Sequence, residues 1–212
     1  MKKLQLALDF LDLDEAVSLA KKAAPYVDII EAGTPLIKSV GLEAIRRLKK
    51  EFPDKIINAD MKTADVGDLE TKMAAVAGAN IVTIMGAAPI ETLIAAVKEA
   101  RNHQNLKIAA DTIGVKNIME KAKEIEQAGA DYLLIHCGID EQKTGKDPIE
   151  NVKLALQATD RISLIACGGI NAETAKTFKD MERVEIVIVG GGITKDKDPG
   201  EAAKKIKEAL IS

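Results

Sequence analysis

At 212 residues the chain is long enough for one large core, and its charges nearly cancel, 33 Asp and Glu against 30 Lys and Arg. Hydrophobic residues make up 47% but aromatics only 2%, with no tryptophan, so Ala, Ile, Val and Leu must build the interior. The mixed charge argues against a nucleic-acid or anionic-membrane partner, and no apolar run approaches bilayer-spanning length.

The first apolar run, Leu4–Leu8, is interrupted at Asp9, too early for a signal peptide. Cys137 and Cys167 have neither metal-finger spacing nor disulfide density. The expectation is a cytoplasmic protein.

Eight β-strands are expected, each followed by a helical pattern. Strand Leu4–Asp9 precedes helix Asp14–Ala24, and Asp28–Ala32 precedes Leu42–Phe52. Ile56–Lys62 is followed by Asp68–Ala77, Ile81–Met85 by Pro89–His103, and Lys107–Thr112 by Asn117–Ala128. The last three pairs are Tyr132–His136 with Pro148–Thr159, Ser163–Cys167 with Ala172–Lys179, and Glu185–Val189 with Gly200–Leu210. Gly78-Ala79-Asn80 and Gly129-Ala130-Asp131 repeat one device, a glycine stop after a helix and an entry into the next strand. No linker composition divides the chain. Strict alternation repeated eight times predicts an α/β fold, a (β/α)₈ TIM barrel forming one domain over residues 1–212; a doubly wound open sheet is the alternative.

Active sites of this fold lie at the C-terminal ends of the strands. Those ends carry Asp9, Glu31, Asp60 with Lys62, Asp111 and His136. Each has a plain structural explanation alone: Asp9 as a turn cap, Glu31 on a backbone amide, His136 as a hydrogen-bonded core histidine. Together at one rim they point to an active site.

The segment Asn58–Gly67 is the richest. Alternation along a strand puts Asp60 and Lys62 on one face and Met61 on the other, with Asp65 past the strand. A surface ion-pair ladder is the bland reading of Asp-x-Lys-x-x-Asp. Strands seven and eight end instead in Gly168-Gly169 and Gly190-Gly191-Gly192, where barrels often hold a phosphate on backbone N–H groups. Neither turn contains an Arg or Lys, so backbone amides are expected to do most of the work. Asp9, Glu31 and Asp60 are oxygen donors suited to one hard cation such as Mg²⁺. Lys62 beside such carboxylates stays protonated, and an ammonium with a divalent cation is what an enediolate needs.

Four segments carry a resemblance: Leu4–Asp9, Val27–Ile37, the Asp60–Asp65 box and His136–Gln142. Together they resemble the 3-hexulose-6-phosphate synthase family of the orotidine 5′-monophosphate decarboxylase superfamily, from Leu4 to about Ala209. The resemblance implies a carbon–carbon lyase that adds formaldehyde to D-ribulose 5-phosphate, reversibly, giving D-arabino-3-hexulose 6-phosphate. It implies Mg²⁺, with Mn²⁺ as a substitute, on Glu31 and Asp60. Asp9 and Lys62 would hold the substrate and the enediolate, His136 would transfer the proton, and Asp111 would be the carboxylate beside the lysine. Gly169, Gly190 and Gly191 fall in the phosphate loops. Asp65 matches a carboxylate lent to the neighbouring subunit, which makes a homodimer with shared sites the expected assembly.

Two relatives of that superfamily fit less well. 3-Keto-L-gulonate 6-phosphate decarboxylases carry an arginine three residues after the histidine and another in the last phosphate loop; here those positions are Ile139 and Gly191. The orotidine decarboxylase box continues Asp-Ile-Pro, where this chain has Asp65-Val66-Gly67. A different class, a barrel that binds a sugar phosphate without turning it over, predicts affinity without activity.

Overall fold

The computed structural model describes residues 1–211; Ser212, the end of the expected 1–212 domain, lies outside them. Eight parallel strands close into a barrel in sequence order. They are β1 (Lys3–Leu8), β2 (Ile29–Ala32), β3 (Ile56–Thr63), β4 (Ile81–Met85), β5 (Lys107–Asp111), β6 (Tyr132–His136), β7 (Ser163–Cys167) and β8 (Val184–Val189). The (β/α)₈ barrel expected from the alternation is the observed fold. The open sheet is excluded by the pairing of β1 with β8, Lys3 to Ile186 through Leu6 to Val189.

The expected helices appear as α1 (Leu13–Ala23), α3 (Glu43–Glu51), α4 (Gly67–Ala77), α5 (Ile90–Ala100), α6 (Ile118–Ala128), α8 (Ile149–Ala158), α9 (Ala172–Ala175) and α11 (Pro199–Ile211). The expected helix Ala172–Lys179 tightens after one turn into a 3₁₀ segment, Lys176–Phe178. Three short helices were not anticipated: α2 (Thr34–Val40), α7 (Ile139–Gln142) and α10 (Gly191–Thr194). All three follow strand C-termini, where loops shape the mouth of the barrel.

Alternation along each strand sorts the core into two shells. Leu4, Leu6 and Leu8 of β1 face outward into the large cluster under the helices. Ala7, Ile29, Ala109, Leu134 and Ile165 fill the barrel itself. Helices α1 and α6 present Ala16, Ala20, Ala122 and Ile125 to the outer shell, and the three alanines let helix and sheet approach closely. Gly78 and Gly129, the stops noted in the sequence, end α4 and α6 with φ of 106° and 83°, a conformation that costs a side-chain-bearing residue far more than glycine.

The residues after those glycines close the bottom of the barrel. Asn80 Oδ1 accepts from Ile57 N at 2.9 Å, and Asp131 Oδ2 accepts from Ile108 N at 2.9 Å. Asp28, just before β2, takes Leu4 N in the same way at 2.7 Å. An Asx residue leading each of β2, β4 and β6 thus fixes the start of the strand before it, at about 1 kcal/mol per bond. The opposite rim is left free for chemistry.

Candidate active site

The rim residues open on a cleft of about 1170 Å³ that receives Asp9, Asp60, Lys62, His136 and Cys167, together with Gly169, Gly190 and Gly191. A smaller hollow of about 320 Å³ near Asn117–Glu124 contains none of them.

Strand β3 does not simply alternate into the site. Its register with β4 slips between Ala59 and Thr63, four residues opposing the two steps from Val82 to Ile84. Within this bulge Lys62 has a φ of 48°, and its N–H leaves the ladder for Thr83 Oγ1 at 3.0 Å. A bulge re-aims side chains; here it turns Lys62 inward beside Asp60, while Met61 packs into the outer shell. The face assignment from alternation is correct, but the bulge produces it.

Lys62 Nζ lies 2.8 and 2.7 Å from the two oxygens of Asp60 and 3.1 Å from Asp111 Oδ2. The same Asp111 oxygen is 2.9 Å from His136 Nδ1, and Asp111 Oδ1 accepts from Ile113 N at 2.8 Å. Asp111 is fully buried. A buried carboxylate is tolerable only with such partners. Burial opposes its charge, but His136, Lys62 and the Ile113 amide outweigh it and lower its pKa. Burial likewise opposes the charge on Lys62, yet Asp60 and Asp111 hold its pKa above the ordinary lysine value. For His136, burial works against the imidazolium, while the Cys167 sulfur and Asp111 raise its pKa. Burial keeps the Cys167 thiol protonated, so at neutral pH Asp111 is the anion that matters.

Asp60 is also held by Thr34 Oγ1 on Oδ2 at 2.7 Å and Thr83 Oγ1 on Oδ1 at 2.8 Å. Glu31 sits deeper, 5% exposed, where Gln5 and Asn58 both donate to its Oε2. Burial first, then Asp60, push its pKa up to about 8. Asp9 is raised by burial and by the same Asp60. The carboxylates strain against one another, which is the electrostatic condition a divalent cation relieves. Gln5 Oε1 and Asn58 Oδ1 are buried without a hydrogen-bond partner, so further unsatisfied oxygen lies beside Glu31. Among the described residues no cluster of three His, Cys, Asp or Glu is drawn together tightly enough to hold an ion by itself. Two carboxylates with water and substrate oxygens are the usual Mg²⁺ arrangement.

Asp65 is placed apart. It is exposed, its Oδ1 accepts from Val66 N at 2.8 Å, and it does not line its own cleft. Val66 beside it takes φ 48° and ψ 49°, an unfavourable region for a β-branched residue, and serves as the N-cap of α4 without any side-chain cap.

Sequence reasoning missed several groups. Thr34 and Thr83 clamp Asp60, and Gly33 leaves room for Asp9: a β-carbon there would stand 2.3 Å from Asp9 Oδ1. Gln5 and Asn58 were detectable as polar residues on the inward face, two positions before Ala7 and Asp60. Lys195, four residues beyond Gly191, also lines the cleft. The turns themselves hold no Arg or Lys, but the Lys195 side chain folds back across Gly191.

A family model, that of the orotidine 5′-phosphate decarboxylase / HUMPS family, matches residues 2–206. The chain belongs to this family. Among members of the orotidine 5′-phosphate decarboxylase / HUMPS family, it is 42% identical to the 3-hexulose-6-phosphate synthase of Mycobacterium gastri over 209 residues, 98% of this chain and 99% of the relative. The crystal structure of 3-hexulose-6-phosphate synthase from Salmonella typhimurium superposes with a TM-score of 0.94 at 36% identity, covering 98% of each chain. The 3-keto-L-gulonate-6-phosphate decarboxylase of Vibrio cholerae is more distant, with a TM-score of 0.85 at 29% identity, over 99% of this chain and 97% of that one. No described helix is long and apolar enough to cross a membrane.

Proposed function

We propose that this chain is a 3-hexulose-6-phosphate synthase, a lyase joining formaldehyde and D-ribulose 5-phosphate. The observation that carries the reading is the Asp60–Lys62–Asp111–His136 chain of contacts. Asp60, Lys62 and His136 line one cleft with the glycine turns of β7 and β8, Asp111 lies buried behind them, and the chain is 42% identical over 98% of its length to a protein of that name.

The chemistry follows from charge. When C1 of the ketose loses a proton, negative charge spreads over two oxygens, and the enediolate carbon then bonds to formaldehyde. Lys62, kept charged by its two carboxylates, is a preorganised cation for those oxygens. His136, beside Asp111, moves that proton: as imidazole it takes it from C1, and as the imidazolium that Asp111 stabilises it returns it to the alkoxide formed from the carbonyl oxygen of formaldehyde. Asp9 orients the sugar hydroxyls, and the backbone around Gly169, Gly190 and Gly191 receives the phosphate.

Glu31 and Asp60 are the residues that would hold Mg²⁺ or Mn²⁺, and their hard, mutually repelling oxygens fit such an ion. When bound, it stabilises charge on the enediolate oxygens.

The assembly in this reading is a homodimer. Asp65 is exposed and does not line its own cleft, and the helix that follows it, α4, exposes apolar side chains, Leu69 at 54%, Met73 at 41% and Val76 at 74%. This stripe, with Val66 and Ile94 beside it, supports a face covered by a second copy, which would place Asp65 at the partner's site. The reading also takes residues 1–212 as one domain and, given two free cysteines and a phosphorylated substrate, a cytoplasmic setting.

The test is direct. With ribulose 5-phosphate, formaldehyde and Mg²⁺, formaldehyde should disappear in proportion to a hexulose phosphate formed. Release of CO₂ from 3-keto-L-gulonate 6-phosphate at a higher kcat/KM would make it a decarboxylase. Ribulose 5-phosphate binding with no turnover of either substrate would make it a silent barrel.

A further inference from the structure

The phosphate end of the cleft has a charge deficit. A sugar phosphate brings up to two negative charges, and burying them against neutral backbone alone is costly. The cleft-lining residues that follow β7 and β8 are glycines, Ile170, Asn171 and Thr194, with one exception that carries charge, Lys195. Lys62, the cation at the other end, is committed to Asp60 and Asp111.

Lys195 is built over the glycine turn. Its Cδ, Cε and Nζ lie 3.5, 3.6 and 3.9 Å from the point where a β-carbon on Gly191 would stand. The stem therefore occupies the space that glycine leaves, and the ammonium arrives beside the backbone N–H groups expected to meet the anion. Nearby carboxylates do not claim it. Asp196 Oδ1 accepts from Asp198 N at 2.9 Å, and Asp198 Oδ1 accepts from Glu201 N at 3.0 Å. Among the described residues no ion pair involves Lys195. Lys38 of α2 also lines the cleft, but nothing places it over either glycine turn.

We infer that Lys195 binds the substrate's phosphate, its ammonium supplying the charge that the glycine turns lack. The inference rests on the phosphate lying at those turns, as in the proposed function, and names the side chain that makes the site selective for a phosphorylated sugar. Lys195 is a binding residue, so its loss weakens capture of the phosphate more than it slows the chemistry.

The experiment compares K195Q and K195R with K38Q, which removes the same charge elsewhere on the cleft wall. K195Q should raise KM for ribulose 5-phosphate about tenfold, the loss of one charge-assisted contact, with a smaller change in kcat. K195R should return to within about threefold of wild type, and K38Q should move KM by less than about threefold. Inorganic phosphate, titrated into each protein by calorimetry, reads the same site without turnover, and K195Q should weaken it by a similar factor. Failure of phosphate to bind the wild type, equal phosphate affinity in wild type and K195Q, or equal losses in K195Q and K38Q would each overturn the inference. A wild type that binds phosphate through Lys195 but does not consume formaldehyde would instead sink the proposed reaction and leave Lys195 standing.

Discussion

Asp111→Asn removes one charge from a fully buried position and leaves its shape nearly intact. In the wild type, Oδ1 takes Ile113 N and Oδ2 takes both Lys62 and His136. An asparagine cannot serve all three. With its oxygen toward Ile113, its NH₂ faces two other donors; flipped, it leaves the Ile113 amide without a partner. Breaking a buried pair by removing one member costs about 3–5 kcal/mol, a large share of a typical total of about 5–15 kcal/mol. Urea unfolding should therefore show a loss of about 3 kcal/mol or more at neutral pH, with an unchanged m-value. The same change should lower the His136 pKa, because one of the groups that oppose burial is lost. His103 is the only other histidine, so imidazole NMR resolves the titration once H103Q has assigned it.

The pH dependence of the wild type has a definite sign. His136 is raised in the folded state, so its contribution is complete below the unfolded value of about 6.5 and fades as pH rises through the folded value. Asp111 is lowered, so its contribution is complete above about 3.9 and fades as pH falls through its folded value. The pair therefore stabilises most between about pH 4 and 6.5, and D111N should lose that window. A loss under about 1 kcal/mol, with His136 titrating as in the wild type, would refute the shared-oxygen account.

Three further outcomes are expected. Excess EDTA should abolish formaldehyde consumption, and Mg²⁺ or Mn²⁺ should restore it, since Glu31 and Asp60 are hard oxygen donors; full turnover in metal-stripped buffer would exclude a metal role. Gly191→Asp should raise KM for the sugar phosphate at least about tenfold while barely moving the urea midpoint, because the new carboxylate would pair with Lys195 and repel the phosphate; an unchanged KM would place the phosphate elsewhere. Asp65→Asn and Lys62→Ala, each nearly inactive, should recover up to about a quarter of wild-type activity when mixed under subunit exchange, half the dimers being mixed and each having one intact site of two; no recovery, with exchange shown by mass, would refute the shared site.

The barrel was legible in the sequence because its signals are local. A strand of β-branched and aliphatic residues, a glycine stop and an amphipathic helix each declare themselves within about ten residues, and eight repeats leave little choice of fold. Strand ends are readable to within a residue or two, so the rim residues Asp9, Glu31, Asp60, Lys62, Asp111 and His136 can be collected from the sequence alone. Their connections cannot be. That one oxygen of Asp111 serves both Lys62 and His136 depends on where β3, β5 and β6 stand around the closed barrel, and on a bulge between Ala59 and Thr63 that no local pattern announces. The bulge leaves a trace only in retrospect, as a lysine held at positive φ where glycine or asparagine would be cheaper.

Lys195 shows the other limit. Within Gly190–Thr194 no side chain carries charge, and reading the turn as a closed unit made the phosphate site look neutral. The four residues Gly191–Thr194 coil into a single helical turn, which brings residue 195 back over residue 191. Spacing of four is the signature of neighbours on a helix, yet a one-turn helix that is half glycine has little propensity to reveal it. The cation was therefore four positions from the glycine it serves and invisible until the turn was seen. The fold's regular elements could be read from composition and period, whereas the chemistry at its rim is decided by short irregular segments, the β3 bulge and the α10 turn, whose geometry comes from what they pack against.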